Sequence, residues 1–434
     1  MTGTLAQLRS FNRPVRLLMV NQLTINLGFY MLMPYLANHL STDLGLAAWL
    51  VGLILGVRNL GQQGMYLFGG SLADRVGYKP LILAGLALRT VGFALLGVAD
   101  ALPILIVASA LTGLAGACFN PAVRAYLAQE AGERKVEAFA AFNVFYQLGI
   151  LAGPLIGLAL SGIAFRLTCL VAAALFVVLA AAQAKALPAR RGSRAGATNS
   201  MLGDWRAALS NRAFVLFSLA MIGSYVLNFQ VYLGLPIEIR RITGGEAGVT
   251  LLFVVSGGLA VAGQVRLTAF AKARWTPAQA LVRGLALMGA SFIPVGLVVG
   301  FVPGPGSGSV ATAGLDGPIG YAAAIGPIIL SAALLTLATM IIYPFEMATI
   351  ATLGGENMIG TYYGLYNTLS GIGIAAGNLA TGAVLDAGRK VGLPSLPWWT
   401  LTTVGLACAA GIHALARTGR LAPTTAQPRE TVPT

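Results

Sequence analysis

Twelve long apolar runs, separated by short polar turns, leave this chain few folds to choose from. They cover 14–36, 47–69, 79–99, 102–128, 138–162, 165–186, 212–236, 247–271, 277–302, 318–351, 359–385 and 396–417, and are numbered spans 1 to 12. Each is close to the roughly 20 apolar residues that a helix needs to cross a bilayer. The overall balance agrees: 57% of the residues are hydrophobic and 10% are charged, against about 25% charged in a soluble domain. A chain this apolar would precipitate from water, so the expectation is an all-α membrane protein with twelve transmembrane helices. Its 55 glycines suit that reading, because lipid supplies no hydrophobic drive between helices and close backbone approach has to replace it.

Charge placement sets the orientation. A net charge of +14 would suggest nucleic-acid binding in a soluble protein. Here most Lys and Arg lie at the N-terminus, in the loops after even-numbered spans and in the C-terminal tail. Arg166, Arg240, Arg241, Arg389 and Lys390 are the ones on the other side. The positive-inside rule then places both termini in the cytoplasm of a cell inner (plasma) membrane, with no nucleic-acid partner. The polar, basic segment after span 6 holds Arg190-Arg191-Gly192-Ser193-Arg194 and Asp204-Trp205-Arg206. It reads as a cytoplasmic linker, with Trp205 at the membrane interface. Four parts are expected: a six-helix bundle over 1–186, the linker over 187–211, a second six-helix bundle over 212–417 and a tail over 418–434. The Gly-, Pro- and Ser-rich stretch 302–317 is expected as a loose external loop, and the tail from Leu421 as disordered. Span 1 is too long for a signal-peptide core and another span follows at once, so it is read as retained. Cys118, Cys169 and Cys408 are scattered, and His39 and His413 are far apart. No metal site, disulfide framework or cofactor is expected.

The two halves are related. Residues 110–160 align with 333–385 at a shift of 223, then 224. Asn120-Pro121 meets Tyr343-Pro344, Phe142-Asn143 meets Tyr366-Asn367, and Gly149 and Gly153 meet Gly373 and Gly377. Spans 4 and 5 therefore recur as spans 10 and 11, a pseudo-symmetric duplication.

Two motifs carry mechanism. The first is the charged turn Gly70-Ser71-Leu72-Ala73-Asp74-Arg75-Val76-Gly77-Tyr78-Lys79, set between two spans. Asp74 can cap the next helix or pair with a basic neighbour. Gly77 permits a tight turn, and Arg75 and Lys79 can hold the loop at the anionic inner leaflet. Gly70, Asp74, Arg75, Gly77 and Lys79 together are a candidate conformational latch. The second is Gly149-Ile150-Leu151-Ala152-Gly153-Pro154-Leu155-Ile156-Gly157 in span 5. Its glycines let a neighbouring backbone come close, and Pro154 removes an intrahelical bond.

Polar side chains inside the spans form stripes. Gln22, Asn26 and Tyr30 share a face of span 1; Asn143 and Gln147 share one in span 5. Tyr225, Asn228 and Tyr232 do so in span 7, and Tyr363, Asn367 and Ser370 in span 11. Such groups face protein or a water-filled cavity. With Tyr343 and Arg58 they are the candidate substrate contacts, each also able to serve as interhelical glue. Of the charges within spans, Arg58, Arg89, Arg124 and Glu346 stand out. Glu346 is the acid placed well inside a span, which makes it a candidate proton carrier. Arg124 sits three residues after Pro121, as Glu346 sits two after Pro344. The pair is therefore read as coupling partners or as a static ion pair. Arg58 is read as a cavity charge or an anchor, and Arg89 as structural.

These residues carry a resemblance. The turn matches G-x-L-A-D-R-x-G-x-K, which resembles the signature loop between helices 2 and 3 of the major facilitator superfamily. The span 5 run resembles the G-x-x-x-G-P-x-x-G motif of its 12-helix drug:proton antiporters. Gln62-Gln63-Gly64, Phe68-Gly69-Gly70, Arg89, Gly92-Phe93-Ala94 and Leu396-Pro397-Trp398 are similar to the MdtH-type group within that branch. The resemblance implies two six-helix bundles with a substrate site between them at mid-membrane. It also implies proton-coupled, alternating-access efflux of small amphipathic drugs or antibiotics by a monomer, with substrate, protons and the bilayer as partners. There are departures. Asn21 and Asn120 stand where such relatives often carry acids, and the usual Arg near Thr112-Gly113 is missing. Fewer acids with the arginines kept favours a neutral, zwitterionic or anionic substrate. The alternative is a proton-independent facilitator or an importer. An enzyme is not expected, since no nucleophile–base or metal set exists.

Overall fold

The computed structural model describes residues 9–161, 164–188, 200–243, 247–300, 318–355, 358–419 and 421. The expected loop at 302–317, the tail beyond Leu421 and the Arg190–Arg194 cluster lie outside the described residues. Every regular element among the described residues is helical. Nine apolar helical stretches there are long enough to cross a bilayer, and the one from Leu102 to Leu160 carries both span 4 and span 5.

Span 1 is the helix Arg13–Asn38, started by Asn12, whose side chain accepts from the Val15 amide, and by a proline in its first turn. Span 2 is interrupted at Met65 and runs as Ala48–Gly64 and Tyr66–Val76. It stops at Gly77, whose φ of 106° is open to glycine and strained for any side chain. Spans 3 to 6 are Tyr78–Val98, Leu102–Ala131, Lys135–Ser161 and Phe165–Ala186. The linker contributes one helix, Met201–Ser210, capped by Ser200. Span 7 breaks after Arg212–Asn228 into a 3-10 turn, Phe229–Val231, and resumes as Gly234–Thr243. Span 8 is Ala247–Arg274, and span 9 is Pro277–Ala290 with Ile293–Val298. Spans 10 to 12 are Pro318–Leu353, Ile359–Lys390 and Leu396–Arg417.

Helix contacts reveal the duplication. Spans 1–5, 2–4, 3–4 and 3–6 pack in the first half; spans 7–11, 8–10, 9–10 and 9–12 repeat the scheme in the second. Across the halves, span 2 meets span 11 and span 5 meets span 8, which are equivalent pairs under the same shift. The result is two pseudo-symmetric six-helix bundles related by an approximate two-fold.

The span 5 glycines act inside the first bundle rather than at the seam between halves. A side chain at Gly149 would meet Asn26 and the Leu23 carbonyl, and one at Gly157 would overlap the Met31 carbonyl. Span 1 thus lies against span 5 backbone to backbone, and Tyr35 donates to the Pro154 carbonyl at 2.7 Å to hold the kinked segment. Their counterparts Gly373 and Gly377 face Ile222 and Val226 of span 7. A Gly157→Val substitution must push two backbones apart, at a cost of about 1–3 kcal/mol. The expected outcome is a clear drop in thermal midpoint in detergent; an unchanged midpoint would remove the close-approach argument.

Candidate functional site

The halves touch along spans 2 and 11 and along spans 5 and 8, and several directed bonds gather at the end that carries the charged turn and the linker helix. Asp74 accepts from the amides of Gly360 and Thr361 at 2.9 and 2.7 Å, and from the Thr361 hydroxyl at 2.8 Å. It caps the start of span 11, where the sequence offered the next helix or a basic neighbour as its partner. The first turn of span 11 offers unpaired amides and a positive dipole end, and the 2–11 packing brings them to it. Gly70 and Gly360 make the approach possible, since a side chain on either would overlap the backbone of the other. Further along, the Thr368 hydroxyl bonds the Gln63 carbonyl at 3.3 Å. On the other seam Lys272 pairs with Glu137 at 2.5 Å, and Asn143 donates to Gln264 at 2.8 Å. Gln264 in turn donates to the Met340 carbonyl at 2.7 Å. These directed bonds hold the two halves together at the linker end.

Arg75 and Lys79 do not reach out to a leaflet. Arg75 pairs with the buried Asp204 of the linker helix at 2.5 Å, and Lys79 donates to the Ala184 carbonyl at 2.7 Å, at the negative end of span 6. Trp205 is turned inward as well, its indole N–H donating to Ser71 at 2.7 Å. The linker helix is thus clasped to the motif by two directed bonds, a better use of a buried Asp than solvent exposure. Arg75→Ala removes this buried ion pair and should speed amide hydrogen exchange over Met201–Ser210 by about tenfold. Exchange at the wild-type rate would show that the clasp holds nothing.

A cluster of phenols surrounds Arg124 where the two halves meet and marks the candidate chamber. Arg124 donates to Asn367 at 2.7 Å, and its charge is faced by Tyr343, Tyr225, Tyr66 and Tyr146. Glu346, 4% exposed, accepts a short hydrogen bond from Tyr366. Arg124 and Glu346 form no ion pair among the described residues, so the static pair is corrected: each is held by a neutral partner from span 11. Arg58 donates to Gln62 at 3.0 Å and lies 4.5 Å from the Phe29 ring centroid. Gln62 donates to Tyr66 at 2.6 Å, and Asn120 reaches the same hydroxyl at 3.1 Å. Tyr30 meets Tyr146, and Tyr225 meets Tyr366 edge-on at 5.8 Å.

Several expected contacts are occupied elsewhere. Asn143 is committed to the seam with Gln264. Tyr363 is fully buried, its hydroxyl bonded to the Met347 carbonyl at 2.7 Å. Asn367 accepts from Arg124 and donates to the Tyr363 carbonyl. Asn26 folds back onto the Gln22 carbonyl, and both side chains are buried. Asn228 accepts from Thr339 at 3.1 Å. Tyr232, just past the 3-10 turn, packs against Phe229 and Phe253 and stays within electrostatic reach of Tyr30 and Tyr146. Gln147 is half-buried in span 5. Tyr66, Tyr146 and Tyr366 were missed as chamber residues. Tyr66 had a signal: Arg58, Gln62 and Tyr66 repeat at every fourth residue, the spacing of one helical face. No group of three or more His, Cys, Asp or Glu that could hold a metal occurs among the described residues.

Comparison with known proteins places this architecture. The family model for the Major Facilitator Superfamily matches residues 18–378. The uncharacterized MFS-type transporter Rv0849 of Mycobacterium tuberculosis is 48% identical over 415 residues, covering 95% of this chain and 96% of that protein. The multidrug resistance protein MdtH of Yersinia enterocolitica is 30% identical over 397 residues, covering 91% and 92%. The crystal structure of the human organic anion transporter MFSD10 superposes with a TM-score of 0.70 at 16% identity, covering 92% of this chain and 99% of that one, a likeness of fold. The duplicated bundles, the capped turn and these relatives make the chain a member of the major facilitator superfamily, a membrane transporter and not an enzyme.

Proposed function

We propose that this transporter is a proton-coupled exporter of small amphipathic, drug-like molecules or antibiotics. It acts as a monomer in the inner membrane with both termini in the cytoplasm. The bundles 1–186 and 212–417 rock about the chamber, the linker 187–211 joins them, and 418–434 is a cytoplasmic tail. With that orientation the directed bonds between the halves close the cytoplasmic end in the described state. Gly70, Asp74, Arg75, Gly77 and Lys79 latch the cytoplasmic end, and Gly149, Gly153, Pro154 and Gly157 keep span 1 tight on span 5. The phenolic chamber, with Tyr30, Arg58, Tyr225 and Tyr343, receives the substrate.

One observation carries the coupling. Glu346 is the only carboxylate among the described residues that sits inside the chamber, buried and bonded to Tyr366. A buried carboxyl is neutral unless charge or hydrogen bonds compensate it, and Arg124 lies close enough to act on it. Opening and closing the chamber alters that compensation, which is what a proton carrier needs. The 30% identity to a multidrug resistance protein supports the substrate class. Proteoliposomes loaded with a pH-sensitive dye test the reading. Adding a drug from an antibiotic panel to vesicles holding a proton gradient should release protons. Drug movement with no proton flux, insensitive to uncoupler, would overturn antiport and favour a facilitator.

A further inference from the structure

Two arginines in the first bundle have more donors than partners. Arg89 of span 3 is 5% exposed, and it makes no hydrogen bond or ion pair among the described residues. Its guanidinium carbon lies 5.7 Å from the Phe29 ring centroid and 5.9 Å from that of Phe176. Arg58 of span 2 approaches the same Phe29 ring, at 4.5 Å. It spends its two terminal nitrogens on Asn59 and Gln62, and its buried Nε is unpaired. Two cations therefore share one aromatic ring inside a membrane protein, with no carboxylate paired to either. Cation–π contact offsets part of the cost of a buried charge, but a guanidinium presents five donors that match an oxyanion edge. Burying such a pair is unfavourable unless an anion joins it for part of the cycle.

We propose that Arg58, with Arg89 behind it, forms a subsite for the carboxylate of an organic anion. The aromatic body of that anion lies among Tyr30, Tyr66 and Tyr146. The subsite rests on reading the chamber as the transport site. It sharpens the substrate class to amphipathic acids and zwitterions whose anionic end enters the first bundle. Arg58 is half-buried with Tyr30 and Tyr66 as its electrostatic neighbours, and in the proposed complex the ligand contacts it directly. Arg89 acts through the field it adds and is a positioning residue.

Equilibrium binding to the purified full-length protein in nanodiscs tests this without any proton gradient, so it fails or succeeds separately from the antiport reading. The probes are 1-naphthoate and 1-naphthamide, nearly equal in shape and different in charge. Naphthoate should bind about tenfold more tightly than the amide, the worth of one or two charge-assisted hydrogen bonds. Arg58→Gln should erase the preference, Arg58→Lys should retain part of it, and Arg89→Gln should reduce it while leaving amide binding unchanged. Monodisperse elution of each variant guards against misfolding, and Arg58→Lys keeps the test alive should the Gln variant fail to fold. Equal binding of acid and amide, or no binding of the acid, overturns the subsite. A preference that chloride at physiological concentration abolishes overturns the organic occupant and leaves an inorganic-anion site.

Discussion

Glu346→Gln should abolish drug-evoked proton release and uphill export while leaving drug binding within about fivefold of wild type. The substitution keeps the shape and an oxygen for the Tyr366 hydroxyl, so the packing of spans 10 and 11 survives. It removes the one carboxyl group of the chamber among the described residues. An ionised carboxylate buried away from water is costly unless it is paired or hydrogen-bonded. A site that alternates between exposure to water and closure therefore gains and loses its proton as that cost changes. Downhill equilibration of drug should persist in the variant, because the binding surface is intact. The readouts are dye-detected proton flux and drug counterflow in proteoliposomes. Full proton release by the variant would place the carrier elsewhere.

Gly70→Val should hold the linker end open and reduce transport by about tenfold or more. At this position the obstacle is the Gly360 carbonyl and the span 11 backbone, which cannot swing aside as a side chain can. Overpacking of this kind costs typically about 1–3 kcal/mol. Separation would also break the three bonds that Asp74 accepts from Gly360 and Thr361. Each 1.4 kcal/mol shifts a two-state population about tenfold, so closure should become the minor state. A cysteine at Thr368, whose hydroxyl now meets the Gln63 carbonyl across the seam, reports the opening in a cysteine-free background. Maleimide added from the linker side should label it far faster in Gly70→Val. Gly56→Val, with nothing within 4 Å, should label at the parent rate. Equal rates in both variants would show that the 2–11 contact does not close the chamber.

Legibility followed the physics. The spans, the duplication and the family motif could be read directly because each is local. Apolar length answers to bilayer thickness, and Gly77 answers to its own φ. The site was legible by residue type and hidden by partner. Glu346 and Arg124 stand in the same region through quasi-symmetry. Yet each took a neighbour from span 11, Tyr366 and Asn367, rather than the other.

By itself the sequence determined that this chain spans a bilayer twelve times in two related halves, with a charged turn after span 2, since hydropathy and backbone conformation act over a few residues. Only the tertiary structure decided that Asp74 caps span 11, that Arg75 holds the linker helix and that Asn143 and Tyr363 are spent on packing. It also decided that Arg58 and Arg89 share Phe29 without a counter-ion. Those outcomes depend on which helices meet. In a membrane a buried polar group takes whatever partner the packing brings within 3 Å or so, and no spacing along one helix can name that partner.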